Sequence, residues 1–189
     1  MNDMIINTYT LGDPSIKAID IANTLSDQLK LVNGILSDKA CASIVKKSLN
    51  ETRKLNYAVT DLRIDAYKDH VGVVCAMGTT ANISRRVLSA IHYNRADMIG
   101  EIIFVCQSPI NAWHQHNHSK SKPQSANGNR ATSKALTNLI DHLGDTINFP
   151  VIVIELVDDI TAIRAFHEKM PKSGKYMSED YKIDWNILE

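Results

Sequence analysis

The sequence is poor in cysteine, and nothing in its arrangement makes the few it has useful as ligands or cross-links. Cys41, Cys75 and Cys106 are an odd number without CxxC spacing. Two of them lie in apolar runs, Val73-Val74-Cys75 and Phe104-Val105-Cys106, so all three read as small buried hydrophobes in a reducing compartment, not as a disulfide frame or a zinc site. Long hydrophobic runs are missing as well. None approaches the roughly 20 residues of a membrane span, and the N-terminus carries Asp3 but neither a basic n-region nor an apolar h-region. The cytoplasm is therefore the expected location, with no membrane partner. Excess charge is also absent: lysine plus arginine and aspartate plus glutamate both number 21, so any electrostatic argument for a partner must be local. The sequence holds no Gly-rich phosphate loop, no GxSxG elbow and no HExxH pair, and Gly72, Gly78 and Gly100 stand alone.

What is present is enough apolar sequence for one globular domain, with 44% hydrophobic residues in a chain of 189. Asp13-Pro14 looks like a helix start, followed by Ile16, Ile19, Ala22, Leu25, Leu29 and Val32 at helical spacing. A second helix is expected after Asp38, with Cys41, Ile44, Val45 and Leu49 inward. Loose alternation over 57–67 suits a strand. After the turn-like Lys68-Asp69-His70, the run from Val71 to Met77 suits a buried one. Ile83, Val87, Leu88 and Ile91 mark a helix, and Glu101 to Cys106 a strand. Thr132 to Leu143 reads as a helix stopped by Gly144, and Val151 to Val157 as a strand entered through Pro150. This order predicts an α/β fold, a mixed central β-sheet flanked by helices, without internal repeats. The expected layout is a helical part over 1–56, a sheet core over 57–157 interrupted by a long loop at 107–131, and an extension over 158–189.

That long loop stands out because connections in compact domains usually run about 4–6 residues. No aspartate or glutamate occurs between Ile102 and Ile140, while Lys120, Lys122, Arg130 and Lys134 do. The resulting local positive potential could track nucleic-acid phosphates, with Asn, Gln and Ser side chains reaching base edges. The plainer reading is solvated surface. Within the loop, His114, His116 and His118 alternate. In an extended conformation they would share one side and could hold a transition metal, although no cysteine or carboxylate follows nearby to complete a shell. Carboxylates in or beside the strands are Asp61, Asp65, Glu101, Glu155, Asp158 and Asp159. Asp158-Asp159 could bind magnesium, or could equally be ordinary strand-end residues.

Several of these segments, taken in order, resemble a known family. Arg63-Ile64-Asp65-Ala66-Tyr67-Lys68 followed by Val71-Gly72-Val73-Val74-Cys75-Ala76-Met77-Gly78 resembles the catalytic hairpin of the BglII and BstYI type of restriction endonuclease, within the PD-(D/E)xK-like nuclease fold. Arg85-Arg86-Val87-Leu88 with Ile91-His92-Tyr93 looks like the family's following helix, and Asp97-Met98-Ile99-Gly100-Glu101-Ile102-Ile103 like its next strand. Ala131-Thr132-Ser133-Lys134-Ala135-Leu136 and Phe149-Pro150-Val151-Ile152-Val153-Ile154 are similar to the helix start and proline-led strand that close its core. The resemblance spans Arg63 to Val157, and order and spacing carry it, not any one motif.

By this resemblance Asp65 stands where a metal-binding aspartate belongs, while Val74 and Ala76 occupy the positions of Glu and of Glu or Gln. Metal-assisted phosphodiester cleavage needs several oxygen ligands, which one aspartate does not supply. The reading that follows is a nuclease-fold protein that binds duplex DNA or a related nuclease without efficient cleavage, with Asp65 vestigial and no cofactor expected. Two alternatives stay open. One is a divergent magnesium-dependent endonuclease using Asp65 and Glu101. The other is an inhibitor or pseudo-subunit. The resemblance also implies a homodimer, or a hetero-oligomer with a related nuclease.

Overall fold

The computed structural model describes residues 5–32, 36–50, 55–57, 62–117, 130–157 and 165. The first element corrects the expectation of a purely helical start. Ile5–Leu11, rich in β-branched residues, forms strand β1. It pairs antiparallel with the last described strand, Val151–Val157. Helix α1 then runs Ile16–Lys30, two residues later than Asp13-Pro14 suggests, because the Ser15 side chain accepts from the Ala18 N–H and so caps the helix. Helix α2, Asp38–Ser48, is capped in the same way by Ser37.

The stretch expected as one strand over 57–67 is broken into pieces. Leu55–Tyr57 (β2) and Leu62–Ile64 (β3) form a separate two-stranded sheet, and Ala66–Lys68 (β4) joins the main one. Asp65 is the single residue between β3 and β4. A tight turn at Asp69-His70, both with positive φ, leads into β5, Val71–Ala76. Two consecutive left-handed residues are what a two-residue hairpin turn of type I′ requires, and they fix the β4–β5 register. Helix α3, Thr80–Arg95, strand β6, Glu101–Gln107, helix α5, Ser133–Leu143, and strand β7, Val151–Val157, follow, with α4 at Pro109–Asn117 between β6 and α5. That extra helix corrects the reading of 107–131 as loop throughout. Ile110 and Trp113, three residues apart, bury one side of it.

The main sheet has the order β1-β7-β6-β5-β4. Its middle, β5-β6-β7, is parallel, and both outer strands run antiparallel. Parallel strands need cover on both faces, which is why β5, β6 and β7 read as continuous apolar runs. Val71, Val73, Cys75, Ile103, Val105, Ile152 and Ile154 meet α1 and α2 on one face. Val74, Ala76, Ile102, Phe104, Cys106 and Val153 meet α3 and α5 on the other. On this second face Gly72 leaves room for the neighbouring side chain of β6: a Cβ there would sit 2.9 Å from Ile102 Cδ1. Among the described residues, no helix is long and apolar enough to cross a membrane.

Candidate functional site

Strand β4 begins only at Ala66, so its pairing with β5 ends at the Ala66–Val73 partnership. Beyond that point the outer edge of β5 exposes backbone N–H groups at alternate residues, and a buried donor left without a partner costs about 1–3 kcal/mol. Two aspartates take up this edge in sequence. Asp65 Oδ2 accepts from the Cys75 N–H at 2.9 Å, and Asp38 Oδ1, from the first turn of α2, accepts from the Met77 N–H. The Asp65 N–H itself reaches Val73 O at 3.0 Å, so Asp65 extends the ladder with its backbone and then with its side chain. Gly78 makes room for this arrangement, because a Cβ there would approach Asp38 Oδ2 and Asn82 Nδ2 to 2.7 Å.

Asp65 is 6% exposed, and so is Arg86 from the second turn of α3. Arg86 Nη2 stands 3.4 Å from Asp65 Oδ2, and the Arg63 Nε 3.7 Å from Oδ1. Arg86 Nη1 also donates to Arg63 O. The carboxylate therefore faces two guanidinium groups and a backbone donor. Arg63 and Arg86, together with Asp38, Asn82 and Arg85, line a small cavity of about 90 Å³ at this edge.

Val74 and Ala76 are buried in the apolar layer under α3, beside Ile83, Val87 and Phe104. Neither offers an oxygen. A magnesium ion beside Asp65 would meet the Arg63 and Arg86 guanidinium groups and, at Val74 and Ala76, hydrocarbon, while Asp38 on the same edge already accepts from the Met77 N–H, so these residues do not fit a divalent metal site. Among the described residues no group of three His, Cys, Asp or Glu side chains gathers to hold a metal.

Glu101 does not join Asp65. It pairs with Val71 at the opposite end of β5 from Cys75, four residues along the strand, or about 13 Å at about 3.3 Å per residue. There its Oε2 accepts from the Ser15 N–H at 2.8 Å, at the entry to α1. The histidine run is not extended either: His114 and His116 lie on α4, where residues two apart do not face each other. His118, Lys120 and Lys122 fall outside the described residues, as do Asp61, Asp158 and Asp159. Arg130 is half-buried at the C-terminal end of β5, its backbone bridged to Thr79 and its Nη1 3.4 Å from Gln115 Oε1. Lys134 sits elsewhere, on a broad groove between β1 and α5.

Glu155, also on that groove, is buried and fully engaged. Asn7 Nδ2, Tyr9 OH and Ser133 Oγ all donate to it. Burial and the Glu155 charge together raise the Tyr9 phenol above its ordinary pKa. The residues that sequence reasoning missed are Arg86 and Asp38. Arg86 had a signal: it falls on the buried stripe of α3 with Ile83, Val87 and Ala90, where a charge has to be paired.

No family model matches this chain, and no curated protein matches it in sequence. Among solved structures, restriction endonuclease BglII in complex with a DNA 16-mer superposes with a TM-score of 0.58 at 11% identity, covering 82% of this chain and 77% of that one. The fold is restriction-endonuclease-like. Free BglII superposes with a TM-score of 0.54 at 11% identity, covering 82% of this chain and 80% of its own. At 11% identity the shared property is the restriction-endonuclease-like architecture: a mixed five-stranded sheet between helices.

Proposed function

We propose that this chain is a nuclease-fold protein that binds duplex DNA without cleaving it efficiently. One observation carries the reading: the carboxylate at the expected metal-binding position, Asp65, is held by Arg86, Arg63 and the Cys75 N–H, while Val74 and Ala76 pack in the core. An aspartate engaged in this way is an edge-capping and charge-pairing group. Glu101 is too far along the sheet to restore a ligand pair, which counts against the active-endonuclease alternative. Support for DNA as the partner comes from the architecture shared with BglII, which is seen bound to a DNA 16-mer, and from the acid-free segment between Ile102 and Ile140. Assembly as a homodimer, or with a related nuclease, belongs to the same proposal.

Fluorescence anisotropy of a labelled duplex, titrated with salt, tests it. Affinity falls steeply with salt if phosphates are neutralised, and Lys120→Ser, Lys122→Ser and Arg130→Ser together weaken binding across unrelated duplexes. A wild-type protein with no salt-sensitive binding to any duplex removes DNA as the partner. The pseudo-subunit reading then takes its place.

A further inference from the structure

The main sheet treats its two edges differently. On the β5 side, strand β4 is only three residues long and carries Lys68, and the rest of that edge is taken up by Asp65 and Asp38. Short strands and charges are the usual means by which a sheet refuses a further strand. Strand β1, at the other end of the order, has none of these guards. It runs seven residues from Ile5 to Leu11, keeps an unbroken register with β7, and contains no charged residue and no proline. Among the described residues nothing pairs with its outer side, so alternate N–H and C=O groups there point away from the sheet.

The groove between β1 and α5 runs along this edge. All six residues from Ile6 to Leu11 line it, facing Lys134, Thr137 and Asn138, which share one side of α5. Glu155, the carboxylate of the groove, is buried and accepts from three donors. Lys134 is then the only cation among the lining residues, too little charge to follow a phosphate backbone. Three of the six large apolar side chains that stand exposed, Tyr9, Ile16 and Ile19, belong to β1 or to α1, which packs on it. Apolar surface is thereby concentrated at an edge that is open to pairing.

We infer that β1 is a dimerisation edge, pairing antiparallel with β1 of a second copy about a two-fold axis through Thr8, so that two sheets join into one. The inference rests on the homodimer reading and names its interface. A second copy suits this edge because the strand is complementary to itself in that register. Thr8 meets the Thr8 of the second copy, Asn7 meets Tyr9, Ile6 meets Thr10 and Ile5 meets Leu11. A two-fold axis normal to the sheet keeps each face on its own side. Ile6, Thr8 and Thr10 stay with the α1 layer, and Asn7, Tyr9 and Leu11 stay with Glu155 and the α5 layer. Threonines facing each other across strands are stabilising, and no like charges are brought together along the strand. Such an isologous contact closes on itself and leaves no free β1 edge for a third copy.

The experiment compares wild type with T8K/T10K, T8C and T10C, each checked for folding by circular dichroism. Light scattering over a concentration series gives the mass, and electrophoresis without reductant after mild oxidation shows cross-linking of the cysteine variants. Thr8 and Thr10 are exposed, while Cys41, Cys75 and Cys106 are buried, so the introduced thiol is the accessible one. Directly opposed residues bring their Cβ atoms to about 4.5–5.5 Å, close to the span of a disulfide, and T8C is expected to cross-link into a dimer. T10C lies four residues along the strand from its own counterpart, about 13 Å, and is expected to remain uncross-linked. T8K/T10K sets two lysines face to face and is expected to raise the dimer dissociation constant about tenfold or more. A wild-type dimer that T8K/T10K leaves equally tight, or that T8C fails to cross-link, overturns the β1 interface while the homodimer reading stands. The cysteine pair decides alone if T8K/T10K does not fold. A wild type that stays at 21.1 kDa at every concentration overturns both.

Discussion

Arg86 Nη2 lies 3.4 Å from Asp65 Oδ2, and each residue is only 6% exposed. A buried pair of this kind contributes little net stability, because desolvating two charges offsets their attraction, but losing one partner leaves the other stranded. Arg86→Met is therefore expected to destabilise the protein by about 3–5 kcal/mol in urea unfolding. Asp65→Asn with Arg86→Met in the same chain is expected to recover part of that loss. Additive effects of the two changes, with no coupling between them, would show that the pair does not form in solution.

Gly72 lets the side chains of Ile64, Ile99 and Ile102 close tightly over β5. A methyl group there meets Ile102 Cδ1 at 2.9 Å, Ile99 Cδ1 at 3.3 Å and Ile64 Cγ2 at 3.4 Å. Gly72→Ala is expected to lower stability by about 1–3 kcal/mol, the ordinary cost of overpacking, read as a lower urea midpoint at unchanged slope. An unchanged midpoint would mean that the three side chains yield freely.

Charges played a smaller part than packing in what the sequence revealed. The runs Val71 to Met77, Glu101 to Cys106 and Val151 to Val157 were legible as buried strands because parallel strands are apolar on both faces. Helices after Asp38 and Thr132 were legible through their caps and periods. Strand β1 was missed although Ile5-Ile6-Asn7-Thr8-Tyr9-Thr10-Leu11 has strong β character, since its partner lies at the far end of the chain in β7. Helix α4 was hidden by polar composition, and only the Ile110–Trp113 spacing pointed to it. At the site, Asp65 was singled out, but its surroundings were not. Asp38 and Arg86 come to the β5 edge from α2 and α3, and no local pattern encodes such a meeting.

The thiols are a further test of the core. Cys41, Cys75 and Cys106 are all fully buried. A hydrogen bond to Cys41, then burial, pushes the Cys75 thiol well up, and burial, then the Glu155 charge, does the same for Cys106. A pKa raised in the folded state means that the neutral thiol is favoured there. The associated stability is complete below the unfolded value of about 8.5 and is lost as pH rises above it. None of the three cysteines is expected to react with a thiol reagent at pH 8 until the protein unfolds, and stability is expected to fall on going from pH 8 to pH 10. Rapid labelling of native protein at pH 8 would contradict this packing.

Assembly is open to a direct measurement. Light scattering is expected to give twice the 21.1 kDa chain mass at micromolar concentrations, as an isologous two-fold pair would. A species of 21.1 kDa alone, from the lowest to the highest concentration, would argue against self-association.

The measurement closest to the central claim is cleavage itself. Supercoiled plasmid and linear duplex are incubated with wild type and with Asp65→Asn, in magnesium and in manganese, with folding of both proteins verified. Wild type is expected to show no metal-dependent nicking above the level of Asp65→Asn, because Asp65 is occupied by Arg86, Arg63 and the Cys75 N–H and Val74 and Ala76 bring no ligand. Robust cleavage by wild type that disappears in a folded Asp65→Asn protein would contradict it and make Asp65 a working metal ligand.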